Sequence, residues 1–142
     1  MKPFSIGTKK HQSEDIMIKY KTIPEFDKDF KVLSKRFKTL PDDFETLKRF
    51  TLETHYEQDI PTTAFIPIEG CCAQEYTSNK IKKFACKSIK GKGSASGLRV
   101  IFVWDKERRT VTFIEIYFKA DQKNENKKRL KDFLTDHYET SD

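Results

Sequence analysis

Cysteine is scarce in this chain: Cys71, Cys72 and Cys86 are the only three in 142 residues. An odd count argues against a disulfide framework, and the vicinal pair lacks metal-ligand spacing. All three read as reduced thiols, with Cys86 in the core. Histidine is equally rare. His11, His55 and His137 lie far apart and form no zinc signature, so neither a metal nor any other cofactor is expected. No apolar run approaches the ~18 residues of a membrane span. The opening residues lack the apolar stretch of a signal peptide, which points to a cytoplasmic protein without membrane contact. Nucleophile motifs of hydrolases are missing too: there is no G-x-S-x-G and no Cys with a His partner. Lys90-Gly91-Lys92-Gly93-Ser94 lacks the G-x-x-x-x-G-K-[ST] spacing and follows no parallel βα unit, which argues against nucleotide binding.

What the chain has is charge and phenylalanine. Charged residues make up 35% and there are 12 Phe, enough bulk for the core of one domain at this length. Residues 1–14 read as a flexible tail, 15–138 as a single domain and 139–142 as a frayed end. Ile16–Tyr20 reads as a short strand. Thr22-x-x-Glu25 matches a capping box, followed by Phe26, Phe30, Leu33, Phe37 and Leu40 on one helical stripe. Pro41 breaks that helix, and Asp42 and Asp43 suit the start of the next, which carries Phe44, Leu47, Phe50 and Tyr56 and fades near Gln58. The two should form a hairpin covering one face of a sheet. Residues 59–79 read as a long loop, a flap or partner contact, with an edge strand at Thr62–Ile68.

Three strands are expected next, Ile81–Ser88, Leu98–Asp105 and Thr110–Lys119, then a helix from about Asn124 with Leu130, Phe133, Leu134 and Tyr138 on one side. Alternation puts Ile114, Ile116 and Phe118 on one face of the last strand, against Phe113, Glu115, Tyr117 and Lys119. An antiparallel meander would let Lys83, Lys87, Arg99, Glu115, Tyr117 and Lys119 converge on a second, partly charged face.

Positive charge is concentrated here. Residues 80–109 hold ten Lys or Arg against Asp105 and Glu107, a net +8 in a chain whose total is +6. Such a footprint suits a phosphate polymer; for single lysines the alternative is protection of strand edges. Lys82, Lys83, Lys90, Lys92, Arg108 and Arg109 are the candidate RNA contacts, with Lys90 and Lys92 on a flexible loop whose amides and lysines touch phosphate. RNA cleavage without a metal is within reach of these residue types, because the ribose 2′-OH is itself the nucleophile. Arg99 can fork two hydrogen bonds to phosphoryl oxygens. Lys87 among other cations, or Glu115, can act as base, and Tyr117 can stack on a base or donate a proton. The alternative for Arg99 is a salt bridge to Glu115 across the strands.

Three segments, residues 25–47 (EFDKDFKVLSKRFKTLPDDFETL), 82–104 (KKFACKSIKGKGSASGLRVIFVW) and 112–134 (TFIEIYFKADQKNENKKRLKDFL), carry a resemblance to the RelE/ParE superfamily of bacterial toxin–antitoxin toxins, particularly its RelE/HigB-like branch. They cover about half the chain in the family's order. The resemblance implies an α+β fold: a small antiparallel or mixed sheet with an N-terminal helix hairpin on one face and a C-terminal helix. It implies a metal-independent endoribonuclease that cuts mRNA on the ribosome, inhibits translation and is neutralised by a cognate antitoxin. Arg99, in SGLRVIF, matches the strand arginine at the scissile phosphate. Lys87 looks like a basic residue of the preceding strand, and Lys119 lies near the end-of-strand basic position. Asp136-His137-Tyr138 is similar to the His–Tyr pair that some relatives carry at the chain end. ParE relatives act on DNA gyrase instead, and an inactive homologue that binds RNA or an antitoxin is the other alternative.

Overall fold

Residues 16–138 are described in the computed structural model of the chain. The tails expected at 1–14 and 139–142 lie outside the described residues, as does position 15. Strand β1 (Lys19–Thr22) is followed by helix α1 (Pro24–Arg36) and helix α2 (Leu40–Leu47). The second helix runs on through a π-helical stretch, Lys48–Glu53, into α3 (Thr54–Gln58). Strands β2 (Phe65–Cys72), β3 (Tyr76–Ile81), β4 (Leu98–Asp105) and β5 (Thr110–Phe118) come next, and α4 (Lys127–Tyr138) closes the domain. The sheet order is β1-β5-β4-β3-β2, with β1 parallel to β5 and every other pair antiparallel. This is the α+β layout expected: a mixed sheet, a helix hairpin on one face and a C-terminal helix.

The hairpin is built as its apolar stripe requires. Phe26, Leu33, Phe37, Leu40, Phe44 and Leu47 are buried against Val100, Phe102, Val111, Phe113 and Ile116 of the sheet. Phe113 sits 4.8 Å from Phe44 and 5.4 Å from Phe26 between ring centroids. The capping box does not form: Ile23, not Thr22, is the N-cap, and no side chain caps the helix. Ile23 has no side-chain oxygen to accept from the first-turn amides, and Pro24 at the first position carries no N–H of its own. The chain breaks before Pro41, at Phe37–Thr39, and Pro41 sits inside the first turn of α2 with Asp42 and Asp43.

Three strand expectations change. The first strand is not Ile16–Tyr20 but Lys19–Thr22, the stretch that pairs with Thr110–Phe113 of β5. Residues 59–79 are no flap, because β2 and most of β3 occupy them as a hairpin at the sheet edge. Pro67 and a bulge after it interrupt the alternation by which a strand is recognised. Conversely, Ile81–Ser88 is not a strand: β3 ends at Ile81, and residues 82–88 cross to the helices. Their alternation survives, with Phe84 and Cys86 buried and Lys83 and Lys87 exposed, but the amides of Lys82 and Phe84 bond irregularly to Ala64 and Ser94.

In β5 one residue is inserted. Ile101 pairs with Glu115 and Phe102 with Phe113, so Ile114 is the extra residue of a bulge. Phe113 therefore joins Ile116 on the hairpin side, while Ile114 joins Glu115 and Tyr117 on the other. The expected grouping holds for residues 115–118 and is reversed at 113 and 114. The second face is more apolar than expected. Leu130, Phe133 and Leu134 of α4 cover Ile101, Val103 and Ile114.

Candidate nucleic-acid interface

β4 and β5 run across the whole domain, and the candidate residues divide between their two ends. Arg99 and Asp105 are six residues apart on β4, roughly 20 Å at the usual strand rise. Near Arg99 the sheet, the segment 82–93 and the end of β5 meet. Arg99 faces away from the helix hairpin, opposite Tyr117 on β5. Its Nη1 donates to the carbonyls of Lys82 and Leu98 at 3.2 and 3.3 Å, and it makes no salt bridge to Glu115. Gly97, at φ +96°, lets the chain turn into β4 where a Cβ would lie 3.1 Å from the Phe118 ring. The Lys119 amide returns to the Gly97 carbonyl at 2.8 Å, which holds exposed Lys119 at this end.

Lys82, Lys83, Lys87, Lys90 and Lys92 are exposed along the same end, on the segment that runs from β3 to the hairpin. Lys83 Nζ donates to Thr63 Oγ1 at 2.7 Å. The segment is pinned at the α1–α2 junction. Asp43, buried there, accepts from the Lys87 amide at 2.9 Å and from Thr39 Oγ1 at 2.6 Å, and Ser88 joins the same cluster. Lys87 thus projects on the hairpin side while Arg99 projects from the opposite face. The convergence expected of them does not occur, because residues 82–88 leave the sheet. Lys87, Lys90 and Ile89 border a shallow dimple with Gly91 and Gly93. None of Lys82, Lys83, Lys87, Lys90, Lys92, Arg99 and Lys119 is ion-paired among the described residues.

Glu115 and Tyr117 are brought beside Arg99, but both are enclosed. Glu115 is 3% exposed; its carboxylate accepts from Gln122 Nε2 at 2.7 Å and from the Asn126 amide at 2.8 Å. Tyr117 is 5% exposed, too little to offer a ring face for stacking. Burial, with the carboxylates of Glu125 and Glu115 adding to it, pushes the Tyr117 phenol up to about 12. It therefore holds its proton throughout the neutral range.

His137 is at the far end. Its Nδ1 lies 3.0 Å from the Phe133 carbonyl and its ring stacks on Phe133 at 4.0 Å, beside a groove of about 500 Å³ between α4 and the start of α1. The carbonyl can only accept, so Nδ1 carries the hydrogen and Nε2 is the free nitrogen. Tyr138 donates to Asp105 Oδ2 at 2.6 Å. Arg108 is paired with Asp105 at 3.1 Å, and burial of Asp105 is outweighed by these partners, which hold its carboxyl below the usual range. Arg109, at φ +48°, donates to the carbonyls of Ile16 at 2.6 Å and Tyr56 at 2.7 Å and lies over Trp104. It is a structural guanidinium rather than a free one.

Sequence reasoning missed Lys80, Gln122 and Glu125. Lys80 stands opposite Ile101 on the Arg99 face and is paired with Glu125 at 2.6 Å. Only the true position of β3 places it there. The described residues hold no cluster of three or more His, Cys, Asp or Glu fit for a metal, and no helix long and apolar enough to cross a membrane. The three cysteines are free thiols, and burial raises the Cys86 thiol.

What fold and surface define together is a small α+β protein with a cationic, water-facing sheet end. No family model and no curated protein matches the sequence. Among solved structures, a chain of the RelE–RelB complex of the archaeon Pyrococcus horikoshii OT3 is similar at 12% identity, with 72% of this chain and 96% of that chain covered and a TM-score of 0.45. A metal-bound toxin from Helicobacter pylori is similar at 16% identity, covering 75% and 99%, also with a TM-score of 0.45.

Proposed function

We propose that the protein is the toxin of a toxin–antitoxin pair and acts as a ribosome-dependent mRNA endoribonuclease that needs no metal. The observation that carries this reading is the set of seven cations at one sheet end, none of them ion-paired among the described residues, with Arg99 and protonated Tyr117 facing each other across β4 and β5. The sequence resemblance to RelE-like toxins supports it. In this reading the 2′-hydroxyl gives its proton to a water molecule as its oxygen attacks the adjacent phosphorus, and the bond to the 5′-oxygen breaks. Arg99 neutralises the charge that builds on the phosphoryl oxygens, a contribution of the size of one oxyanion donor, about 10²–10³ in rate. Tyr117 delivers a proton to the leaving oxygen once the neighbouring Glu125 side chain turns aside. Lys119 and Lys82 flank the phosphate, while Lys83, Lys87, Lys90 and Lys92 hold the RNA or rRNA backbone. Glu115 is tied to the loop after β5 and acts by holding it. The cognate partner is an antitoxin that covers this end.

Inducible expression in bacteria tests the reading, with growth and transcript 5′-ends followed for wild type and Arg99→Ala. Arrest with codon-phased cuts that disappear in a folded Arg99→Ala protein is the expected result. An undiminished Arg99→Ala toxin sinks the assignment. The enclosure of Glu115 and Tyr117 favours, as a second reading, a homologue that binds RNA without cutting it. That protein would bind RNA in vitro and leave transcripts intact. Arrest with intact mRNA and DNA-damage signalling would point instead to gyrase.

A further inference from the structure

The loop after β5 brings a carboxylate into the cationic end. Glu115 anchors it at two points, accepting from Gln122 Nε2 at 2.7 Å and from the Asn126 amide at 2.8 Å. Gln122 also donates to the Asn124 carbonyl at 2.8 Å, and Asn126 Oδ1 accepts the Arg129 amide at 3.0 Å where α4 begins. The backbone on either side of Glu125 is therefore fixed. Its carboxylate meets Lys80 Nζ at 2.6 Å, with side chains 6% and 18% exposed. Lys80 lies opposite Ile101 of β4, so Arg99, two residues earlier on the same face, is its diagonal neighbour. Diagonal neighbours in a sheet are ~7–8 Å apart, within reach of long side chains. Two cations so placed can each take one free oxygen of a single phosphodiester.

An ammonium as enclosed as that of Lys80 needs a counter-ion when nothing is bound. Glu125 supplies one. We infer that Lys80 is a further phosphate-binding residue of the site, and that Glu125 occupies, in the free protein, the place a phosphate oxygen takes when RNA binds. The exchange replaces one anion by another on the same nitrogen, so no buried charge is left alone. Glu125 turns to solvent by side-chain rotation while its backbone stays on the Glu115 anchor. This inference rests on the RNA-binding reading above and adds to it a built-in competitor.

The test is fluorescence anisotropy with a labelled, 2′-O-methylated RNA oligonucleotide that cannot be cut, at one salt concentration. Glu125→Gln should tighten binding about ten-fold by removing the competing charge. Lys80→Ala alone should change it less than about two-fold, because Lys80 is already engaged, and Lys80→Ala should abolish the gain when combined with Glu125→Gln. Asp132→Asn removes the same charge on an exposed face of α4 and should give no comparable gain. Glu125→Asp, one methylene shorter, keeps the charge and should give a smaller gain, which serves if the Gln variant folds poorly. Glu125 variants that bind like wild type, or a gain that persists without Lys80, overturn the inference alone. Absence of RNA binding by every variant overturns the RNA reading and this inference with it.

Discussion

At the β4–β5 turn, Arg108 is paired with Asp105, and Arg109 donates to two backbone carbonyls while lying over Trp104. At the opposite end of the same strands Arg99 donates from Nη1 alone, in longer bonds to two carbonyls, and Arg99, Lys119 and the lysines of the 82–93 segment have no carboxylate partner among the described residues. Both ends belong to one run of positive charge in the sequence, yet at the turn both guanidiniums are engaged, and only Lys106 of its three cations is exposed and without an ion pair among the described residues. Charge density along a chain measures attraction; the availability of that charge depends on what the fold has already placed against it. At the turn the guanidiniums order a loop that contains a left-handed arginine, and at the other end the ammoniums stay hydrated.

Substitutions at the two ends should separate these roles. The largest effect is expected at Arg99. Arg99→Ala should reduce cleavage by about 10²–10³ with little change in thermal midpoint, measured by transcript cleavage with purified protein and ribosomes translating the transcript, and by circular dichroism. Arg108→Ala should leave cleavage near wild type. Arg109→Ala should do the reverse of Arg99→Ala, lowering stability by about 2 kcal/mol through lost charged hydrogen bonds and leaving RNA affinity unchanged. Urea denaturation and anisotropy on the same sample would check it. A loss of affinity at Arg109 matching that at Arg99 would erase the distinction between the ends.

Smaller effects sharpen the comparison further. Each of Lys82→Ala, Lys90→Ala and Lys92→Ala should lower the slope of log affinity against log salt by up to about one unit, whereas Arg109→Ala should not alter it. The smallest effect is a pH dependence at the turn. Asp105 has its carboxyl held below the usual range, so its interactions stabilise the fold above the unfolded carboxylate pKa of about 4. That contribution is lost as pH falls through the lower, folded value. The stability margin of wild type over Asp105→Asn should thus be full at pH 7 and shrink below about pH 4, read from denaturation at each pH. A margin that grew on acidification would show the wrong sign for a depressed carboxylate.

Much of the fold was legible by eye. The stripe Phe26, Phe30, Leu33, Phe37 and Leu40 carries its own period and buries the face it marks, except that Phe30 is only half-buried. Leu98–Asp105 begins and ends where its alternation does. Of the edge hairpin only the first half of β2 was legible, as the edge strand expected at Thr62–Ile68; Pro67 and the Cys71–Cys72 bulge region disguise the rest of it, and the Ile114 bulge shifts faces without changing composition.

The sequence by itself determined the helix hairpin, the central strands, the concentration of cations and Arg99 as the residue around which a phosphate site is proposed. The first three follow from periodicity and composition, which are local; Arg99 is set apart by the resemblance of its strand to those of RelE-like toxins. Only the tertiary structure decided which of the cations stay unpaired, that Lys87 and His137 lie away from Arg99, and that Glu125 meets Lys80. Those outcomes depend on strand register and on where the loop after β5 is anchored. Partners such as Glu125 and Lys80 are 45 residues apart in the sequence. No local pattern records such a pairing; it exists only once the sheet is assembled and a buried carboxylate, Glu115, has drawn the loop across its face.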